Sequence, residues 1–479
     1  MDNKNKYKLA RKSSLPYQMT FWTITPDGKI KINQYELTKF LEAGGFHKTA
    51  TKNGISVVRV VDNIVSETHD HEIIDYIKKH LMSINELQVL EKFSTGVSSY
   101  INKGKQNLLK SVDIPIDKDP KDASWFYFGN TAVEVTSSKI ELVKYENVPH
   151  HIWDTRILNR DYIPPAAETK SDFHNFLFNL AGQNQERFIA LLSIIGYLLH
   201  RYQNKSLTRA VIFVDQKMTF DGKANGGSGK TLITEAVGKM RELVGMDGKS
   251  MKTESWFKNQ RIERTTDIVR YDDVQRNFSL EILYSMITSG ITVERKHKDE
   301  FYIAPEDAPK IVLSSNYPVK GTGGSTDIRR RCEYEVANYY NADHQPIDDF
   351  KKHFFDDWND AEWNAFDSLM IYCLQVYFQK GLIIPDPINL VKNKLVNETC
   401  SELVEYMEGS IKIEEWIDKR EYHNGFIEKY PVHKHVSPHQ FTKWIKAYSD
   451  GKGLNYTDRS AGGKYSFILG TIKKAQDEK

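Results

Sequence analysis

The chain has 479 residues, with 66 Lys+Arg against 64 Asp+Glu and 40% hydrophobic residues. That length suits about two to four domains with real cores, and no apolar run approaches the ~20 residues a membrane span needs. A net charge of +2 says little of partners, so any DNA contact has to come from a local cluster.

The N-terminus, Met1-Asp2-Asn3-Lys4-Asn5-Lys6-Tyr7-Lys8, lacks the apolar core of a secretory signal. A turn at Pro26-Asp27-Gly28 leads into a strand-like Lys29 to Asn33. Tyr35 to Ala43 has the pattern of an amphipathic helix, and Ile55 to Val61 that of a strand. Asp113 to Asp122 is polar and carries two prolines, which predicts a linker. A β-rich stretch follows to about Ile163, and Pro164-Pro165 marks the next boundary. Asp172 to Leu177 and Glu186 to Tyr197 then read as buried helices.

The central third carries the chemistry. An apolar strand, Ala210 to Val214, is followed by Ala224-Asn225-Gly226-Gly227-Ser228-Gly229-Lys230-Thr231 and a helix-like Leu232 to Val237. Strand, glycine-rich loop and helix is the context of a phosphate cradle. Asn225, Gly226, Gly227, Ser228, Gly229, Lys230 and Thr231 are therefore the expected nucleotide-binding residues, although Ala224 stands where the usual pattern has Gly. The helix N-terminus adds partial positive charge. Lys230 is expected on the β- and γ-phosphates of ATP and the Thr231 hydroxyl on Mg²⁺. Thr266 to Asp273 reads as a strand ending in two carboxylates, where an NTPase places its metal-associated acid and a group that polarises water. Thr231 and Asp272 are the expected Mg²⁺ ligands, although the sequence alone does not separate the roles of Asp272 and Asp273.

Ile291 to Ile303 reads as strand, charged tip, strand, with Arg295, Lys296, His297 and Lys298 at the tip, which suits nucleic-acid phosphates. A second strand, Lys310 to Ser315, ends at Asn316, whose amide can orient the attacking water. Arg329-Arg330-Arg331 follows, and an arginine there can stabilise a transferring phosphoryl group, often from a neighbouring subunit. Taken singly, each of these features has an ordinary reading as a solvated turn or surface patch; their order is what carries the inference. Phe350 to Gln379 is helical and aromatic, and Trp358, Trp363 and Phe366 read as core. From about Ser401, a helix over Gln440 to Tyr448 with surface Lys443 and Lys446 precedes a glycine turn at Gly462-Gly463 and a strand, which is consistent with a winged helix. His423, His433, His435 and His439 fit no standard zinc spacing, have no cysteine among them, and are expected on the surface. Cys332, Cys373 and Cys400 show no metal or paired spacing, so a reducing cytoplasm, bacterial or of a phage-infected cell, is expected.

The ordered set from Gly226 to Thr231, Asp272-Asp273, the basic hairpin and Ser315-Asn316-Tyr317-Pro318 resembles superfamily 3 helicases. It is similar to the branch that includes the poxvirus primase-helicase and related phage and plasmid replication proteins. The tip Lys296-His297 is also similar to the hairpin of the polyomavirus large T antigen. The resemblance covers roughly the middle half of the chain. It implies an α/β, AAA+-type P-loop ATPase that forms hexameric rings, with hairpins gripping single-stranded DNA in a central channel. It makes Lys296, His297 and Lys298 the DNA contacts, Asn316 the sensor, and Arg329 or Arg330 the arginine finger. The segment before the ATPase becomes a helical collar.

The domains expected are an α+β N-terminal domain over 1–112, a β-rich lead-in and collar over 113–200, the ATPase core over 201–345, a helical segment over 346–400 and a winged helix over 401–479. The expected activity is an ATP- and Mg²⁺-dependent DNA helicase or translocase in replication of a phage, plasmid or mobile element. Its partners would be DNA, further copies of the chain and a primase or polymerase, with no membrane. An ATP-hydrolysing initiator or loader that does not unwind is the alternative. No paired-acid primase constellation precedes Pro164.

Overall fold

The computed structural model describes residues 19–51, 54–114, 118–165, 171–217, 227–249, 259–276, 278–296, 298–322 and 324–471. The chain divides into two compact units. One comprises 1–169 with 200–202 and 370–379; the other comprises 170–199, 203–369 and 380–479. Among the described residues no helix is long and apolar enough to cross a membrane.

The first unit is α+β. A four-stranded sheet is ordered Phe46–Thr51, Gly54–Val61, Ile64–Glu67, Ile152–Trp153, and a three-stranded antiparallel sheet runs Ala123–Tyr127, Ala132–Thr136, Ile140–Val143. Helix Gln34–Ala43 begins where the Asn33 side chain accepts from the Tyr35 and Glu36 N–H groups, which satisfies two otherwise unpaired donors. Its Leu37 and Phe40 pack with Phe46, Ile73, Ile77 and Leu81. The polar stretch read as a linker over 113–122 is not solvated throughout. Asp119 is buried, accepts from the Arg201 backbone N–H, and pairs with the Arg201 guanidinium at 2.8 Å. A buried charge is tolerated only when paired, and the partner lies too far along the chain for local pattern to reveal it.

The second unit is built on a five-stranded parallel sheet, in the order Leu243–Asp247, Ile268–Asp272, Lys310–Ser315, Ala210–Asp215, Arg331–Val336. The inner strands Ala210–Asp215 and Lys310–Ser315 are buried along their whole length, as the near-continuous apolar runs of parallel strands require. Because every strand runs the same way, all five carboxyl ends lie along one edge. Helices Asp172–Leu180 and Gln185–Leu199 precede the sheet. Phe173 of the first joins Phe354, Phe355, Trp358 and Phe366 in ring contacts of 5.3–6.2 Å, so these aromatics are packing groups.

In the last part of this unit, helix Ser401–Ser410, strand Ile417–Asp418, helices Lys419–Lys429 and Pro438–Gly451, and the hairpin Leu454–Ala461 with Lys464–Thr471 enclose a core of Leu403, Phe426, Phe441, Ile445, Phe467 and Leu469. Ser437 caps the helix that starts with Pro438, accepting from the Gln440 N–H. Gly462 and Gly463, at φ +59° and +76°, form the two-residue turn in which both positions need a left-handed backbone.

Candidate functional site

The strand before the glycine-rich loop ends at Asp215, and the helix after it, Lys230–Gly238, begins at the lysine itself. Asn225 and Gly226 lie outside the described residues. Gly227 and Gly229 take φ of +97° and +91°, open to glycine and strained for other residues. At Gly229 a Cβ would also stand 2.9 Å from a ring carbon of Phe176. The loop therefore rests directly on helix Asp172–Leu180. Gly227, Ser228, Gly229, Lys230 and Thr231 line one wall of a cleft of about 660 Å³; Asp272, Asp273, Ser314 and Asn316 line another; Gln345 and Pro346 close it.

The parallel sheet explains why residues so far apart in sequence meet. Asp272 ends its strand, Ser314 is the last residue but one of its own, and Asn316 follows just beyond, all on the same edge as the loop. Ser314 links the two acids, its hydroxyl donating to Asp272 Oδ1 at 2.5 Å while accepting from the Asp273 N–H at 2.9 Å. Asp273 takes φ +51°, a left-handed turn that Asp tolerates better than most residues. Its Oδ1 accepts from the Asn316 amide at 3.0 Å. Lys249 pairs with the same carboxylate, and that hydrogen bond raises the lysine pKa above its ordinary value.

Lys230 is buried, and its ammonium donates to Asp215 Oδ1 at 2.5 Å, Ser228 Oγ at 3.0 Å and Asn316 Oδ1 at 3.2 Å. Asp215 and Ser314 are the residues the sequence reading missed. An acid closing an otherwise apolar strand is the signal that marks Asp215; Ser314 carries none. Asp215 supplies the charge that keeps Lys230 stable in a dry place. A phosphate bound in the cleft would bring the same charge and compete for the ammonium. Asp215→Ala is therefore expected to destabilise the nucleotide-free protein by about 3 kcal/mol or more, and nucleotide should raise its melting temperature by more than it raises the parent's. Equal melting temperatures and equal nucleotide shifts would remove Asp215 from this role.

The residues present fit the groups expected of them. Two left-handed glycines, a buried ammonium and a helix N-terminus suit a polyphosphate. The oxygens of Thr231 and Asp272 suit a hard divalent cation.

The arginines lie elsewhere. Arg331 pairs in register with Ala210, and Val336 with Asp215, so Arg329 and Arg330 stand at the amino edge of the sheet. Five residues of strand, about 17 Å, separate that edge from the loop edge. Arg329 is exposed. Arg330 donates to the Thr326 carbonyl at 2.9 Å and lies over the Tyr284 ring. Arg331 is committed to ion pairs with Asp327 and Glu333.

The hairpin consists of Ile291–Arg295 and Lys298–Ile303, with Ile291, Val293 and Ile303 in the core. Arg295 pairs with Glu263 at 2.6 Å and stacks over Phe301, which makes it a structural clamp. Lys296 is exposed at the turn, and His297 and the Lys298 side chain lie outside the described residues.

No family model and no curated protein matches the chain. Among solved structures, it is similar to the apo A form of the NrS-1 C-terminal region, at 13% identity over 91% of this chain and 98% of that one, with a TM-score of 0.41. A second apo structure of that region matches at 14% identity over 90% and 98%, with a TM-score of 0.40. A structure of JCV helicase with a bound small molecule matches at 13% identity over 50% and 61%, with a TM-score of 0.25. The functional reading therefore rests on this chain's own residues.

Proposed function

We propose that the chain is an ATP-driven DNA helicase or translocase of the superfamily 3, AAA+ type, working as a ring of identical subunits, hexameric as in that family, in replication of a phage, plasmid or mobile element. One observation carries the reading. Lys230, Asp272, Asp273 and Asn316 converge at one edge of a parallel sheet, while Arg329 and Arg330 stand at the other. A site so divided is completed when the arginine edge of one subunit faces the loop edge of the next, the head-to-tail geometry that generates rings.

ATP supplies the phosphoanhydride bond and Mg²⁺ the charge that screens it. Lys230 and the loop N–H groups hold phosphate oxygens. Asp272 and Thr231 would hold the metal through their oxygens. Asp273, which accepts from the Asn316 amide, would polarise the attacking water. An arginine from the neighbouring subunit offsets charge that builds up on the transferring group.

Helix Pro438–Gly451, with exposed Lys443 and Lys446, and the hairpin beyond it have the order of a winged helix. This arrangement supports the second reading, an initiator or loader that grips duplex DNA without unwinding it. Strand displacement on a forked DNA separates the two. Lys296→Ala/His297→Ala is expected to lower unwinding and DNA-stimulated hydrolysis at least tenfold, while basal hydrolysis stays near the parent's because the cleft is untouched. DNA affinity should fall steeply with salt, because each lysine releases a counterion. A hairpin variant that unwinds as well as the parent, together with a Lys443→Ala/Lys446→Ala variant that loses DNA binding, would favour the loader.

A further inference from the structure

The histidines of the last hundred residues are expected on the surface and unsuited to a metal. The fold alters that picture by supplying a cysteine from an earlier helix. Cys400, Glu402 and His433 bring three ligand atoms within 4.8 Å of one another, the one such group of three among the described residues. Cys400 caps helix Ser401–Ser410, and its sulfur accepts the Leu403 N–H at 3.4 Å. Glu402 is the second residue of that helix and accepts from the Ser401 hydroxyl at 2.8 Å. His433 ends the short turn Pro431–His433 between helices Lys419–Lys429 and Pro438–Gly451.

Two observations make this more than a chance meeting. Both ring nitrogens of His433 are buried; Nδ1 makes no hydrogen bond, and Nε2 faces only the Glu402 carboxylate at 3.5 Å. Buried polar nitrogens without partners are uncommon, and each one calls for an explanation. The ring is held in place by carbon, with Phe426 stacked at 5.4 Å and Trp444 edge-on at 6.1 Å. The second observation is spacing. His433 Nε2 lies 3.5 Å from Glu402 Oε2. Metal–ligand bonds of about 2.0–2.1 Å at tetrahedral angles place N and O ligands roughly 3.3 Å apart. The pair therefore already stands at the edge length of a tetrahedron, and the sulfur lies within 4.8 Å of both atoms.

We propose that Cys400, Glu402 and His433 bind a borderline-soft divalent cation, Zn²⁺ by preference, with water in the fourth position. One thiolate, one imidazole and one carboxylate is a donor set that zinc accepts and that magnesium and calcium do not favour. The bonds to Cys400 and Glu402 are supported from behind by the Leu403 N–H and the Ser401 hydroxyl, the kind of outer contact that orients metal ligands. The ion joins the start of helix Ser401–Ser410 to the turn that leads into helix Pro438–Gly451. It thereby fixes the seat of Trp444, on the helix that carries Lys443 and Lys446. The proposal stands on this cluster alone and is independent of the ATP site.

The test uses the full-length protein stripped with a chelator and titrated with Co²⁺. A thiolate-to-cobalt charge-transfer band saturating at one equivalent per chain is expected, and Zn²⁺ should bleach it. Cys332 and Cys373 are wholly buried, so they do not supply that thiolate. Cobalt at Thr231 and Asp272 has oxygen ligands only and gives no such band. Cys400→Ser should abolish the band, and His433→Gln should weaken cobalt binding at least tenfold. Zn²⁺ should raise the melting temperature of the parent and leave that of Cys400→Ser unchanged. Glu402→Gln, at a half-exposed side chain, preserves the fold and decides the matter if the other two variants do not fold; it should weaken binding at least tenfold. Absence of the band in the parent, or an undiminished band in Cys400→Ser, or unchanged affinity in Glu402→Gln would overturn the proposal.

Discussion

Lys230→Ala is expected to reduce phosphate release by about 10²–10³-fold, the scale of losing one preorganised donor to a developing anion. The expectation follows from where the lysine is. Its ammonium is buried at a helix N-terminus, within reach of three acceptors that line the same cleft. The variant also leaves Asp215 buried without its cation, which is expected to cost about 3–5 kcal/mol of stability. A second variant separates the two effects. Lys230→Ala/Asp215→Ala removes both charges, so it should recover thermal stability and remain inactive. Hydrolysis at the parent's rate by either variant would sink the assignment of the cleft.

Replacing both Arg329 and Arg330 with alanine is expected to cost about 10³–10⁵-fold in turnover, the range known for an arginine supplied to a phosphoryl transfer. Nucleotide binding should change little, because these side chains stand at the far edge of the sheet from the loop. The same distance predicts complementation. The arginine variant keeps a whole loop edge, and Lys230→Ala keeps a whole arginine edge. In an equal mixture, roughly a quarter of the interfaces of a head-to-tail ring pair one intact edge with the other. Activity per chain should therefore return to that fraction of the parent's. It should also rise with protein concentration for the parent itself. Rate per chain independent of concentration, with no rescue on mixing, would mean that each chain completes its own site. Of the two arginines, Arg329 should carry the larger effect, because Arg330 is already engaged by Thr326 and Tyr284.

The cleft was legible in sequence wherever the chemistry is local. The phosphate loop needs consecutive small residues between a strand and a helix, and that grammar is written in adjacent positions. Asp272, Asp273 and Asn316 were legible because each closes an apolar run, and in a parallel sheet those ends share an edge. What was not legible depends on partners distant in the chain. Asp215 reads as a polar strand end until Lys230 folds back onto it. Ser314 reads as strand interior, yet it bridges the two acids. The buried pairing of Asp119 with Arg201 could not be read from a segment that looks like a linker. Cys400 and His433 lie in separate elements, and the fold brings them together beside Phe426 and Trp444. The first unit is likewise discontinuous, with 200–202 and 370–379 joining residues from the N-terminal region; no compositional shift marks such a boundary.

The hairpin is anchored at its root, and Lys296 is exposed at its turn. Ile291, Val293 and Ile303 are sunk in the core, and the Arg295–Glu263 pair braces one strand from the side. It is thus a lever about 17 Å from the root at Ile291 to the turn. A lever of that arm turned through about 12°, within the scale of known subunit rotations, sweeps its end through about 3.5 Å. Successive nucleotides of a DNA duplex rise by about 3.4 Å along its axis. On the motor reading proposed above, a small rotation of the body is expected to carry the turn through about the duplex rise of one nucleotide.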